Sequence, residues 1–329
     1  MTHATRNYPA KKDKLSYIDH QVLMKYSIFT NSRGRKRPKE LVHDTPGGWK
    51  FKVINHDGIP QARARDVYHA IMASAKNQIL HEDEVFLSLK KLQEITGIKR
   101  SHDIKRYCDQ VAHTLLEWEK KTDKKLKDND IPDWMQMHIW TTSKEGDELK
   151  VMFDPRFIKL YRRFYKTRFK ALPIETYHSL SGSFAKFAYD ALHVWFDGKD
   201  KETGRYKPFW RIGFDKFLRN AGFEYYLDQP NKFQNKYIRD YIEPQLLELV
   251  ELGEYIFEID FKQRMFYFFR QYSLKGEKDF KPMTEEKMQE VINIKRTIEN
   301  PDIKIKQKTK ASKGILNKKA IFKRLVFWK

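Results

Sequence analysis

One short segment occurs twice in this chain, 125 residues apart, and it restricts the possible folds more than any other feature. The first copy runs from Leu89 to Ile98 and the second from Phe214 to Phe223. Leu89 aligns with Phe214, Leu92 with Phe217 and Ile98 with Phe223, while Lys91 matches Lys216 and Gly97 matches Gly222. Each copy reads as a short helix stopped by a glycine, the residue most at ease in the left-handed conformation that ends helices. A polar, basic break and a longer helix follow each copy, which is helix-turn-helix order. Such repeats also occur in purely structural helical domains. Charge bears on the choice: 65 Lys and Arg stand against 44 Asp and Glu, a formal net charge of +21. A basic excess of this size points to a polyanion, whether DNA, RNA or an acidic membrane surface.

The remaining composition narrows the class. At 329 residues the chain has room for two domains and a tail. Hydrophobic residues are 40% of it, enough to build folded cores. The single cysteine, Cys108, excludes an internal disulfide and a cysteine-based zinc site, and fits a reducing compartment. It falls on the apolar side of an expected helix and reads as a core residue. No run of 18 apolar residues is present, so no membrane-spanning helix is expected. The N-terminus lacks the apolar stretch of a secretory signal, and a cytoplasmic protein is expected.

Four regions follow along the chain: an arm over 1–46, a first domain over 47–165, a second over 166–275, and a helix with a basic tail over 276–329. In the arm, Arg33, Arg35, Lys36 and Arg37 form a basic run that is either a solvated linker or a mobile contact to phosphates. Trp49, Phe51 and Val53 alternate as in a strand, and a helix is expected from about Arg63 to Gln78. After the repeated helix at 87–98, Ser101 is placed to cap a helix running to Trp118. Ile104, Tyr107, Cys108, Val111, Leu115 and Trp118 keep helical spacing toward a core, which leaves His102, Lys105, Arg106 and His113 outward. A polar stretch at 120–130 precedes two alternating runs, 135–141 and 149–153, joined at 143–147 as a hairpin. Helix, helix-turn-helix, hairpin is winged-helix order.

The second domain repeats the order. Ser183 is expected to cap a helix to Phe196, and the second copy of the repeat follows a loop. A helix from about Asn231 turns Phe233, Tyr237, Ile238, Tyr241 and Ile242 inward and sets Lys232, Asn235, Lys236 and Arg239 in one outward stripe. Pro244 is expected to kink or restart it, because proline has no amide to donate and crowds the preceding turn. Tyr255–Phe261 and Met265–Phe269 read as a second hairpin, and the cluster Phe266 to Phe269 reads as a strand buried on both sides rather than a base-stacking surface. A helix is expected from Thr284 to about Glu299. Residues 301–329 carry ten Lys and Arg against Asp302 alone, a composition suited to DNA backbone, a partner or an anionic surface. The fold class is therefore α+β: two tandem winged-helix domains between a basic arm and a basic tail.

The two stripes are the candidate nucleic-acid contacts. Arg reads the O6 and N7 acceptors of guanine and Asn reads adenine, which makes Arg106, Arg239, Asn231 and Asn235 candidate base readers. Lys105, Lys232 and Lys236 suit phosphates, with His102 on the same face of the first helix. Motifs of catalysis are missing from the sequence. There is no phosphate-binding Gly-rich loop ending in Lys-Ser/Thr, no His-x-His pair and no Gly-x-Ser-x-Gly, while His138 and His193 stand alone. No enzyme activity, metal or cofactor is expected.

The chain resembles plasmid replication initiators of the tandem winged-helix type (replication initiator A). Trp49-Lys50-Phe51-Lys52-Val53 leading to Gly58-Ile59-Pro60 and Asp66-Val67-Tyr68 is similar to their opening strand and first helix. Leu172-Pro173 through Tyr177, Leu180 and Ser183 into Ala185–Leu192 is similar to the start of their second domain, and Pro244–Leu249 to Gly253 to the end of their second recognition helix. The resemblance implies binding of direct repeats (iterons) in double-stranded DNA at a plasmid origin, local duplex opening and recruitment of host replication proteins. It also implies a dimeric form that represses the initiator's own gene, and it maps the reading helices onto 101–118 and 231–243. A transcriptional regulator of the same fold is the alternative reading. A third is a nucleic-acid- or partner-binding protein without sequence preference.

Overall fold

The computed structural model describes residues 15–30, 37–45, 49–120, 134–199, 203–274 and 277–299. It divides into a large unit that ends at Pro282 and a small unit from Met283.

The large unit opens with β1 (Ser16–His20) and α1 (Gln21–Lys25). This overturns the expected arm over 1–46 for the residues described there. Tyr17, Met24, Tyr26, Ile28 and Phe29 are buried, sparse apolar positions in a polar stretch that find their partners far along the chain. β2 (Glu40–Thr45) and β3 (Trp49–Ile54) then pair antiparallel. The alternation read from Trp49, Phe51 and Val53 holds, with Phe51 and Val53 fully buried.

Next come α2 (Ala62–Ala75), β4 (Glu84–Ser88), α3 (Leu89–Thr96) and α4 (Ser101–Ala112). Ser88 Oγ accepts from the Lys91 amide at the start of α3, and Gly97 ends the helix at φ +69°. The expected helix over 101–118 is shorter than its apolar spacing implied. It stops at Ala112, and Leu115 and Trp118 lie in β5 (Leu115–Lys120), paired with β3. Asn55 explains the stop: its Nδ2 donates to the Gln110 carbonyl and to Thr114 Oγ1, each at 3.0 Å, so the last turn is satisfied from outside the helix. Trp118 then stacks on Phe51 at 4.7 Å across the sheet. Nor does the Ser101 side chain cap α4, for the cap position is Arg100 and makes no side-chain bond.

β6 (Trp134–His138) completes a sheet of order β2-β3-β5-β6. The polar stretch at 120–130 lies beyond Lys120 outside the described residues. β7 (Trp140–Glu145) and β8 (Glu148–Phe153) form the expected hairpin, with Gly146 at φ +60° in the turn, and join β4 in a second sheet of order β4-β8-β7.

α5 (Pro155–Arg168), β9 (Phe169–Pro173) and α6 (Ile174–Ser179) lead to α7 (Ser183–Phe196). β9 pairs with β1, setting Tyr17 opposite Leu172. α7 is buried nearly all round; only Ser183 and Trp195 are not. Ser183 does not cap it. Gly182 holds the cap position, and the free amides are taken by side chains from further along: Gln245 Oε1 accepts from Phe184 at 2.8 Å and Glu248 Oε2 from Ser181 at 2.6 Å.

An order related but not identical to that of 62–153 follows, with no counterpart of β5 and β6 among the described residues and with a short extra helix after the repeated one. β10 (Phe209–Gly213), α8 (Phe214–Asn220), α9 (Glu224–Leu227), α10 (Asn231–Tyr237), α11 (Glu243–Glu251), β11 (Tyr255–Asp260) and β12 (Met265–Arg270) follow α7, with a third sheet of order β10-β12-β11. α10 and α11 are one rod joined by a π-helical stretch, Ile238–Ile242. The wider turn accommodates Pro244 without a break. Phe266, Phe268 and Phe269 are buried as expected, forming a strand covered on both faces.

Helices α2 and α7 are tied together by buried polar groups. Lys186 Nζ donates to Asp66 Oδ1 at 2.7 Å, Tyr68 donates to Asp19 at 2.7 Å and Tyr17 to Asp190. Burial holds the His69 imidazole well below its usual range and pushes Asp190 up to about 7. Tyr17, Asp19, Tyr68, His69 and Asp190 are each exposed by 4% or less, so this cluster joins elements rather than meeting a ligand. The small unit contains α12 (Glu285–Glu299), capped by Thr284, whose Oγ1 accepts from the Lys287 amide.

Candidate nucleic-acid interface

The two outward stripes both reach the surface but differ in electrostatics. On α4, His102 and Arg106 are exposed and Lys105 is partly so. They edge a depression of about 350 Å³ whose far side is Asn55, Asp57 and Gly58. The stripe carries its own counter-charges: Lys105 Nζ lies 2.7 Å from Asp109 and Arg106 Nη2 2.9 Å from Asp103. Surface pairs at this spacing stabilise a helix by about 0.3–0.5 kcal/mol and yield readily to a stronger anion. Thr142 on β7 also donates to Asp109, fixing that carboxylate toward the hairpin.

The α10 stripe is open. Lys232 and Lys236 are exposed and have no ion pair among the described residues. Arg239 is exposed too, with its guanidinium 4.4 Å over the Phe261 ring, which limits its rotamers while leaving its donors free to point outward. Asn231 is exposed at the first turn. Asn235 departs from the expectation of an outward residue: it is half-buried, and its Oδ1 accepts from Arg264 Nη1 at 3.4 Å.

Arg264 is a residue that sequence reasoning missed. It stands at the β11–β12 turn with φ +55°, the left-handed region, where a side chain other than glycine is strained. Its guanidinium binds Asp215 on α8 at 2.7 Å and also the Gln234 side chain on α10. One residue thus clamps the hairpin, the repeated helix and the start of α10 in one arrangement. The left-handed backbone at an arginine leaves no mark in the spacing, so no pattern could have found it. Lys262 is exposed at the same turn, while Asp260 Oδ1 accepts from the amides of Lys262 and Gln263 and shapes it.

Phe233 corrects a second expectation. Helical spacing turned it inward, yet it is 46% exposed, and Gln234 is the buried residue of the first turn. Gln234 Nε2 donates to the carbonyls of Leu227 and Gln229 at 3.0 and 2.8 Å, so the inner position is filled by an amide that the preceding loop requires.

Of the arm, Arg37 is described: it donates to the Asp57 carbonyl at 2.7 Å and is anchored rather than mobile. Arg33, Arg35 and Lys36, like the basic tail 301–329, lie outside the described residues. Among the described residues no cluster of His, Cys, Asp and Glu could hold a metal ion, and no helix is long and apolar enough to cross a membrane.

Residues 52–193 match the family model described as initiator replication protein, WH1. The match runs from β3 to within α7 and includes α2, α3, α4 and the first hairpin. Two crystal structures of RctB domains 2 and 3 overlay on the chain with TM-scores of 0.49 and 0.46. They are 10% and 12% identical to it and cover 77% and 76% of it, and 99% and 96% of their own chains. No curated protein matches the chain.

Proposed function

We propose that this chain, which over residues 52–193 matches the initiator replication protein model, is such an initiator and starts replication of its replicon by gripping origin DNA with two winged-helix units. The units are 62–153 and 183–270, and α4 and the α10–α11 rod are their recognition helices. The observation that carries the reading is the open stripe on α10. Lys232, Lys236 and Arg239 occupy one exposed helix face, the two lysines without an ion pair among the described residues and Arg239 with Glu243 as its acidic neighbour, beside a hairpin turn presenting Lys262. The N-terminal part of such a helix contacts base edges in the major groove, and the hairpin reaches the flanking phosphates.

The self-paired stripe on α4 suits a secondary role. Asp103 and Asp109 must release Arg106 and Lys105 before these contact phosphate, so the first unit binds the more weakly of the two. Two units in one chain favour a site made of repeated elements, the iterons of a plasmid origin. Opening of the duplex, recruitment of host replication proteins and repression of the chain's own gene by a dimer belong to the same reading, as does a site of action in the cytoplasm. The chain acts by binding, and the reading assigns it no reaction.

The test is the double variant Lys236→Ala/Arg239→Ala. It is expected to lose discrimination between its site and competitor DNA while keeping salt-sensitive general affinity. A double variant that still discriminates removes α10 from the role of reader.

A further inference from the structure

We propose that Phe233 contacts the C5 methyl group of a thymine, so that the protein reads a thymine at one position of its site through an apolar contact. The inference rests on α10 being the helix that enters the major groove.

Three observations converge on Phe233. It is one of three large apolar side chains left exposed among the described residues, and it lies at the edge of the cationic stripe, next to Lys232 and one turn before Lys236. An exposed apolar ring bordered on one side by unpaired lysines fits a surface that is anionic with an apolar point beside the charge. The major groove has that character, since the thymine methyl is the apolar group among its base edges and phosphates flank it. Phe233 also sits in the first turn of α10, where recognition helices approach bases.

The ring is held in place before any ligand arrives. Phe233 stacks on Tyr226 at 6.4 Å with the rings 14° from parallel, and Tyr226 stacks in turn on Tyr237 at 3.8 Å. A side chain already ordered loses little entropy on binding. The fold does not need the ring to be there, because Gln234 fills the inner position of that turn. Phe86 and Trp134, the other two exposed rings, lie on β4 and β6, away from this helix.

The experiment uses the full chain and a duplex selected by it from a random library. Each thymine of that duplex is replaced in turn by deoxyuridine, which removes the methyl alone, and affinity is read by fluorescence anisotropy at fixed salt. For the wild-type chain one replacement is expected to weaken binding about four-fold, the equivalent of about 0.8 kcal/mol for one buried methyl-sized group. Phe233→Ala is expected to bind the thymine and deoxyuridine forms of that position equally, and the unmodified duplex at least that much more weakly. Phe233→Leu, still apolar, is expected to keep part of the methyl dependence. A Phe233→Ala variant with the methyl profile and affinity of the wild type overturns the inference and leaves the DNA reading standing. A wild-type chain that selects no duplex overturns the DNA reading, and this inference with it.

Discussion

Lys186 Nζ donates to Asp66 Oδ1 at 2.7 Å with both side chains largely buried, joining α7 to α2 and so the second run of elements to the first. The partnership is unequal. Asp66 also pairs with the exposed Arg63 at 3.3 Å, whereas Asp66 is the carboxylate in direct contact with Lys186, with Asp190 acting on it from further off. Asp66→Ala therefore strands a buried ammonium, and is expected to cost about 3–5 kcal/mol in urea unfolding. Lys186→Met leaves Asp66 its Arg63 contact and is expected to cost less. The double variant is expected to be more stable than Asp66→Ala alone, because the stranded charge is gone. A double variant no better than the single one would deny the pair this role.

The two glycines of the repeat make a controlled comparison. Both have positive φ, +69° at Gly97 and +79° at Gly222. A Cβ at Gly97 meets nothing within 4 Å, but one at Gly222 falls 2.3 Å from the Phe29 carbonyl oxygen. There the N-terminal segment is laced to α8, with the Ser27 amide donating to the Asn220 carbonyl at 2.7 Å and Thr30 Oγ1 to that of Gly222. Gly97→Ala is expected to cost about 1–2 kcal/mol, the price of a left-handed alanine. Gly222→Ala must also displace that segment and is expected to cost clearly more, as thermal melts of the pair would reveal. Equal losses would mean that residues 27–30 do not pack as described.

Acidification should destabilise the large unit. Burial pushes the imidazoles of His43 and His178 down to about 4, so each contributes stability that is present above the unfolded value near 6.5 and is lost as pH falls through 4. Asp190 works in the opposite sense. Pushed up to about 7 by burial, it contributes stability that is present below the unfolded carboxylate value and is lost as pH rises through 7. With His69 also held low by burial, three imidazoles stand against two raised carboxyls, Asp190 and the half-buried Glu243, and leave stability falling between pH 6.5 and 4. In His43→Gln the slope over that window is expected to be shallower by about one proton, about 1.4 kcal/mol per pH unit. An unchanged slope in stability measured at several pH values would show that His43 titrates normally in the fold.

Much of this architecture can be read from local patterns. The alternation at Trp49, Phe51 and Val53, the glycines after both short helices and the two hairpins all stand where spacing sets them, since each depends on residues close in sequence. What escaped depends on distant partners. Tyr17 looks like part of a polar arm until β9 is there to pair with β1. Leu115 and Trp118 continue a helical pattern faultlessly, and only Asn55 and the edge of β3 convert them to a strand. Ser183 looks like a cap, yet Gln245 and Glu248 do the capping from α11. In the candidate interface, the basic residues of both stripes were legible, but their state was only partly so. The pairing of Asp103 and Asp109 with Arg106 and Lys105 follows from helical spacing and is open to reading, whereas the clamp by Arg264 that half-buries Asn235 needs the hairpin to fold back.

The central claim is that α10 and its hairpin read a repeated DNA sequence. The most direct measurement is a footprint of the purified chain on the DNA bordering its own gene, at physiological salt with excess competitor. Regularly spaced protected direct repeats, about one or two helical turns apart, are the predicted result, and Lys236→Ala/Arg239→Ala should erase them. A single protected palindrome would point to a regulator instead, and the absence of any discrete protection would contradict the account.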